Sequence, residues 1–206
     1  DSIDAESGAV IITSSLLYGD VDENGVVGDP DATKILQKLA GIDTFAVFNS
    51  FAANVTQDTS LSGLDASFIL QYTAETLDSL PPDTAENKWI AEGDLSMQDQ
   101  SAEPGESVSV PLQVSGGNNI YGFTGELRYN PDQLQFDNLT WHTTSDEFVE
   151  VARDNEGAVN IAVAGYETMG PAGIFVTAHF TTQPEFDSTE VTLSHWRWNE
   201  NVPQSD

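Results

Sequence analysis

One stretch of this chain returns, altered, 34 residues further on, and the unit that repeats is a metal-type loop running into a helix. The first copy is Gly19–Gly41, GDVDENGVVGDPDATKILQKLAG. Asp20, Asp22, Asn24 and Asp31 place side-chain oxygens at positions one, three, five and twelve of a twelve-residue calcium loop. Gly25 stands at position six, where the chain must turn sharply, and Val26 offers its carbonyl at position seven. Gly28 at position nine has no side-chain oxygen, which leaves that vertex to water. Ala32, Ile35, Leu36 and Leu39 then recur at helical spacing, and Gly41 suits a C-terminal cap.

The second copy, Asn54–Tyr72, reads NVTQDTSLSGLDASFILQY. Val21 matches Val55, Asp31 matches Asp65, Ala32 matches Ala66, and Ile35-Leu36-Gln37 matches Ile69-Leu70-Gln71. A duplicated loop–helix of this kind, with no leading helix, resembles a dockerin domain over about residues 19–80. The resemblance implies one calcium ion per loop and a helix pair that presents a surface to a cohesin domain. By position it assigns Asp20, Asp22, Asn24, Val26 (backbone) and Asp31 to the first ion. It assigns Asn54, Thr56, Asp58, Ser60 (backbone), Ser62 and Asp65 to the second. The second loop departs from the pattern: Thr59 replaces the turn glycine and only two ligands are carboxylates. Fewer charges hold a hard dication less tightly, so the second site is expected to be the weaker. The family's recognition positions hold Asp29 and Pro30, then Gly63 and Leu64, with Leu36-Gln37 and Leu70-Gln71. These are not the Ser/Thr and Lys/Arg pairs of the best-known type, so partner specificity is not inherited.

With 206 residues the chain has room for one large or two small domains, and an apolar content of 39% permits a true core. Six basic residues face 34 acidic ones, for a net charge of −28. Phosphate recognition needs clustered Lys and Arg, so nucleic acid is excluded as a partner, and an anionic membrane surface with it. The acidity suits calcium-rich or salty water outside a cell, where cations screen self-repulsion. There is no cysteine. No run approaches the ~20 apolar residues of a membrane span. No cleavable leader is visible, so a secreted form is expected to be already processed.

Leu80–Lys88, with its paired prolines, reads as a linker. Beyond Trp89 the pattern changes to period two: Val108–Val114, Phe148–Val151, Val159–Val163, Ile174–Phe180 and Val191–Leu193. Turn residues separate them at Gly116–Asn119, Asn130–Asp132, Asp154–Gly157 and Gly170–Gly173. Many short strands at regular spacing argue for an all-β sandwich. SVSVPLQV, IYGFTGELRYNPDQLQF, GAVNIAVAG, GIFVTAHFTT and STEVTLSHWRWNE, in that order, resemble a cohesin domain over about residues 89–206. The strongest piece is Leu127–Leu134, a strand entering a tight turn. The resemblance implies a jelly-roll sandwich whose flat face receives a dockerin. The expected fold is therefore mixed: a small all-α calcium-binding module plus an all-β jelly-roll sandwich. Its expected parts are an N-terminal strand (1–18), a dockerin-like module (19–80), a linker (81–88) and a cohesin-like sandwich (89–206).

Cohesins generally have nine strands, and about eight are countable here. Residues 1–17 hold Gly8–Thr13, GAVIIT, which is rich in β-branched residues. Ala9–Leu16 is thus a candidate for the missing strand, donated by a neighbouring copy. The alternatives are a strand on the chain's own sheet, or one period cut from a longer repetitive polypeptide. The linker reaches at most ~30 Å. A contact within one chain is expected to strain it, which points the helix pair to the sandwich of another copy. Such head-to-tail contacts close into rings or run on as filaments.

No nucleophile–base–orienter set appears, and His142, His179 and His195 show no metal spacing, so no enzyme is expected. His179 is expected to fill or edge the core. Trp196 and Trp198, two apart on a strand, share a face. They suit sugar stacking, core packing or an interface. The expectation is a secreted, non-catalytic protein of calcium-dependent assembly, bound to the cohesin or dockerin module of another copy as a homo-oligomer, filament or tubule. The alternatives are a carbohydrate-binding module with a glycan partner, or an adaptor docking a polysaccharide-degrading enzyme in a cellulosome-like complex.

Overall fold

A computed structural model of the chain describes residues 16–82, 90–143 and 147–200. Three helices precede eight strands: α1 (Asp29–Leu39), α2 (Ser50–Ala53), α3 (Gly63–Thr73), β1 (Glu92–Met97), β2 (Ser107–Asn118), β3 (Gly122–Arg128), β4 (Leu134–Trp141), β5 (Phe148–Asp154), β6 (Ala158–Gly165), β7 (Gly173–Thr182) and β8 (Thr192–Trp198).

Each long helix begins directly on its loop. In α1 the Asp31 carboxylate accepts from the Gly28 N–H at the cap (2.9 Å). In α3 the Asp65 carboxylate accepts from the Ser62 N–H (2.8 Å) while Ser62 Oγ accepts from the Leu64 N–H (3.1 Å). The acid at loop position twelve is thus also the third helical residue of a capping arrangement. Both helices end in the same way. The N–H of Gly41 reaches the carbonyl of Lys38 and that of Ile42 the carbonyl of Gln37. Glu75 and Thr76 repeat this on Tyr72 and Gln71. This is the double closure of a Schellman motif, with Gly41 at φ +79° and Glu75 at φ +59°.

The strands form a two-sheet antiparallel sandwich, one sheet ordered β1-β2-β7-β4 and the other β5-β6-β3-β8. Leu112, Ile120, Phe123, Leu127, Ile161 and Phe180 are fully buried between them. The expected strands at Val108–Val114, Phe148–Val151, Val159–Val163 and Ile174–Phe180 fall within observed ones, and the one expected at Val191–Leu193 overlaps the start of β8, which begins at Thr192.

A second core lies outside the sandwich. Strand β6 sends Val159, Ile161 and Val163 inward and Ala162 and Ala164 outward, and the two alanines join Val21, Ile35, Leu36, Val55, Phe68 and Ile69 in one buried cluster. Helix α3 lies over β6 and β3, and α1 over β5 and β6. The helix pair therefore sits on the sandwich of its own chain, where the linker's reach favoured the sandwich of another copy. Linker residues 83–88, and residues 9–15 of the candidate donated strand, lie outside the described residues.

Candidate functional site

The first loop gathers its acids. Ligand oxygens of Asp20, Asp22 and Asp31 all lie within 4.8 Å of one another, the one such group among the described residues. Backbone amides organise them. Asp31 Oδ1 accepts from the N–H groups of Val21 (2.8 Å) and Asp22 (3.2 Å). The two oxygens of Asp20 accept from Asn24 (3.0 Å) and Gly25 (2.9 Å), and Asn24 Oδ1 accepts from Val26 (2.8 Å). Gly25, at φ +87°, makes the turn that position six requires. Burial raises the Asp31 carboxyl above its ordinary range, and the Asp22 charge adds to this, against the amide bonds that pull it down. Three carboxylates this close repel unless a cation or a proton lies among them. An all-oxygen set of this charge is the chemistry that calcium takes.

The second loop is built differently. Its side chains bond to one another: Asn54 Nδ2 donates to the Asp58 carbonyl (2.9 Å), and Thr56 Oγ1 lies 3.0 Å from both Asn54 Oδ1 and Asp65 Oδ1. Ser60 N–H donates to Asp58 Oδ1 (2.7 Å). Gln57, like its counterpart Glu23, sits at φ +59°, but Thr59 does not take the positive φ of Gly25. Burial pushes Asp65 up to about 6. An acid from the sandwich approaches: Glu200 Oε1 lies 3.4 Å from Ser62 Oγ. Burial, then the charges of Asp58 and Asp65, push Glu200 up to about 7.

Glu200 belongs to a seat whose helix side, Gly63 and Gln71, stood at the expected recognition positions and whose sheet side the sequence reading missed. Gly63 at the start of α3 rests on Gly122 at the start of β3; a Cβ on Gly122 would stand 2.8 Å from the Gly63 carbonyl carbon. Ser67 Oγ donates to the Gly165 carbonyl (2.7 Å) and accepts from Gln71 Nε2 (2.9 Å). Arg197 donates to the Leu61 carbonyl (2.8 Å), and Arg153 to the carbonyl of Gly41. Asn199, buried at φ +46°, holds the strand edge in place. Its Oδ1 accepts from Tyr121 (2.9 Å) and Gly122 (3.0 Å), and its Nδ2 donates to the Asn119 carbonyl (2.8 Å). One signal for this face stood in the sequence: Ile161–Gly165, IAVAG, is apolar without alternation, as a strand covered on both sides should be.

Other candidates resolve differently. Trp198 is 2% exposed and donates from Nε1 to the Gly93 carbonyl (2.8 Å), with Trp196 packed edge-on at 5.6 Å between centroids. The pair shares a face, but that face is core, so no twin exposed platform for a sugar forms. His179, expected to fill or edge the core, is half-buried on the outer side of its sheet and bridges Ser109 and Thr140 at 2.9 Å each. No helix among the described residues is long and apolar enough to cross a membrane.

The family model described as "Cohesin domain" matches residues 93–196. Several solved structures align with about half of the chain. The sixth cohesin of scaffoldin B from Acetivibrio cellulolyticus, solved in complex with a Cel5 dockerin mutant, is 20% identical, with a TM-score of 0.43, covering 50% of this chain and 81% of that one. A non-cellulosomal cohesin from the hyperthermophilic archaeon Archaeoglobus fulgidus is 14% identical, with a TM-score of 0.46, covering 52% and 76%. CaCohA2 from Clostridium acetobutylicum is 16% identical, with a TM-score of 0.44, covering 49% and 73%. No curated protein matches the chain.

Proposed function

This chain belongs to the cohesin family, and from that premise we propose that it is a calcium-dependent docking protein whose sheet β5-β6-β3-β8 receives a dockerin-like helix pair. The cohesin domain is a non-catalytic protein-interaction module. The observation that carries the reading is the seat itself. A helix packs glycine on glycine against the sheet, two outward alanines are fully buried, and two of the chain's six basic residues donate across the contact.

Calcium supports this seat from one side. Asp20, Asp22, Asn24, the Val26 carbonyl and Asp31 would hold the first ion. Asn54, Thr56, Asp58, the Ser60 carbonyl, Ser62 and Asp65 would hold the second, more weakly. The ion supplies the positive charge that clustered loop oxygens need before the helices can fold against each other. A second loop with mostly neutral ligands suits a calcium-rich medium, which supports a location outside the cell or on its surface.

The helix pair and its seat are complementary surfaces of one chain, so exchange of the pair between copies would use the same contact head-to-tail and build a polymer. A strand from residues 9–16 of a neighbour, added to an open sheet edge, would give a second link. Sedimentation velocity over a range of concentrations, with calcium and with EDTA, tests the proposal. Association is expected in calcium and not in EDTA, and Gly122→Val, which puts a side chain where Gly63 rests, is expected to abolish it. Association that persists in EDTA and in Gly122→Val would overturn the reading.

A further inference from the structure

The two loop–helix units match at an offset of 34 residues, so the sheet could in principle receive either one. The contact surface is not indifferent to the choice. Gly63 and Ser67 of α3 meet the sheet, and Gln71, which donates to Ser67, follows on the same helical face, each four residues from the last. A Cβ at Gly63 would stand 3.3 Å from Gly122 Cα and 3.4 Å from both Phe123 N and the Val163 carbonyl oxygen. All three are backbone atoms of paired strands, which cannot give way as a side chain can. Ser67 fits closely enough to donate to the Gly165 carbonyl, and Gly165 itself has no room for a Cβ, which would lie 2.5 Å from the Phe148 ring.

The corresponding stripe of the first unit is Asp29, Thr33 and Gln37. With α1 in the place of α3, Asp29 would bring a carboxylate to the Val163 carbonyl oxygen, a charge against an acceptor at a buried spot. Thr33 would add a methyl group where Ser67 fits. Gly28 would stand where Ser62 meets Glu200. Asp29 is exposed in the observed arrangement, whereas Gly63 is buried.

We infer that the sheet accepts the helix pair in one direction only, second unit inward, and that Gly63 is the residue that sets it. This rests on the docking reading above. If copies exchange the pair, every link along a chain of copies then has the same polarity.

Nuclear Overhauser contacts in the isotope-labelled full chain with calcium test it. Cross-peaks are expected from Gly63 to Gly122 and from Ser67 to Gly165, with none from Asp29 or Thr33 to those glycines. Gly63→Asp, which gives the second unit the residue of the first, is expected to lose the contacts to Gly122 and Gly165. Retained contacts between Ser62 and Leu64 would show that its helix still forms. The double variant Asp29→Gly/Thr33→Ser, which gives the first unit the residues of the second, is expected to add a second set of Gly122 and Gly165 signals from inverted docking. Cross-peaks from Asp29 to Gly122 in the parent, an intact seat in Gly63→Asp, or one unchanged set in the double variant would overturn one-way docking and leave docking itself standing. No cross-peak between the helix pair and the sheet in the parent would overturn the docking reading, and this inference with it.

Discussion

Asp31 serves the loop and the helix together: one oxygen closes the cap of α1 at Gly28 and the other gathers the amides of Val21 and Asp22. Replacing it with Asn keeps an acceptor and removes a buried charge. Asp31→Asn is therefore expected to weaken calcium binding at the first loop at least tenfold, roughly the effect of removing one charged ligand from such a site. In EDTA the relief of the buried charge is opposed by the Asn amide group facing an N–H that the lost oxygen accepted from, so thermal stability is expected to change little. Calorimetry showing parental calcium affinity would contradict the ligand assignment. Glu75 makes a simpler case. It occupies the left-handed position that Gly41 occupies after α1, a conformation that costs a non-glycine residue about 1 kcal/mol. Glu75→Gly should raise the unfolding free energy by about 1 kcal/mol in chemical denaturation, and a loss would show that the Glu75 side chain compensates.

At the level of elements, β6 determines where the helices lie. Its outward alanines leave room for two helices to approach, and larger side chains there would hold them off. Ala162→Leu is expected to overpack this second core and destabilise the helix pair by about 1–3 kcal/mol, read as an earlier denaturation transition of the helical signal with the sandwich's strand signal retained. A single unchanged transition would mean that the helices do not depend on this strand. The elements themselves were largely legible. Loop register and apolar spacing located α1 and α3, and period-two runs located most strands. Helix α2, four residues capped by Asn49, is too short for periodicity to reveal. Gly63 stood at a recognition position of the resemblance, but its sheet partners were not legible, because they are made of what side chains leave out: Gly122 and Gly165 carry no chemistry to notice, and only their juxtaposition in space makes a surface. Nor could spacing show that Trp198 faces the core, since alternation fixes which residues share a face and not which face is buried.

For the whole molecule, with its net charge of −28, the acids gathered around the second loop are where a proton and the proposed calcium ion would compete. Asp65 and Glu200 titrate near 6 and 7 in the folded chain, each above its ordinary value. A carboxyl with a raised folded pKa holds its proton better folded than unfolded. Its contribution is full below the unfolded pKa, near 4, and is lost as pH rises through 6 to 7. The buried Asp65 accounts for up to roughly 3 kcal/mol of this. In EDTA the melting temperature of the helix pair should fall between pH 4 and pH 7, Asp65→Asn should flatten the fall, and calcium should restore stability at pH 7 by taking the proton's place. A melting temperature in EDTA that is level or rising over that window would contradict the crowding of these acids.

Docking depends on the helix pair covering the outer face of β6, and the alanine methyl groups report on that directly. With a soluble paramagnetic chelate added to the calcium-loaded full chain, the methyl signals of Ala162 and Ala164 should keep their intensity while that of exposed Ala172 is lost. Attenuation of Ala162 and Ala164 to the extent seen for Ala172 would mean that the face is open to solvent and that nothing is docked there.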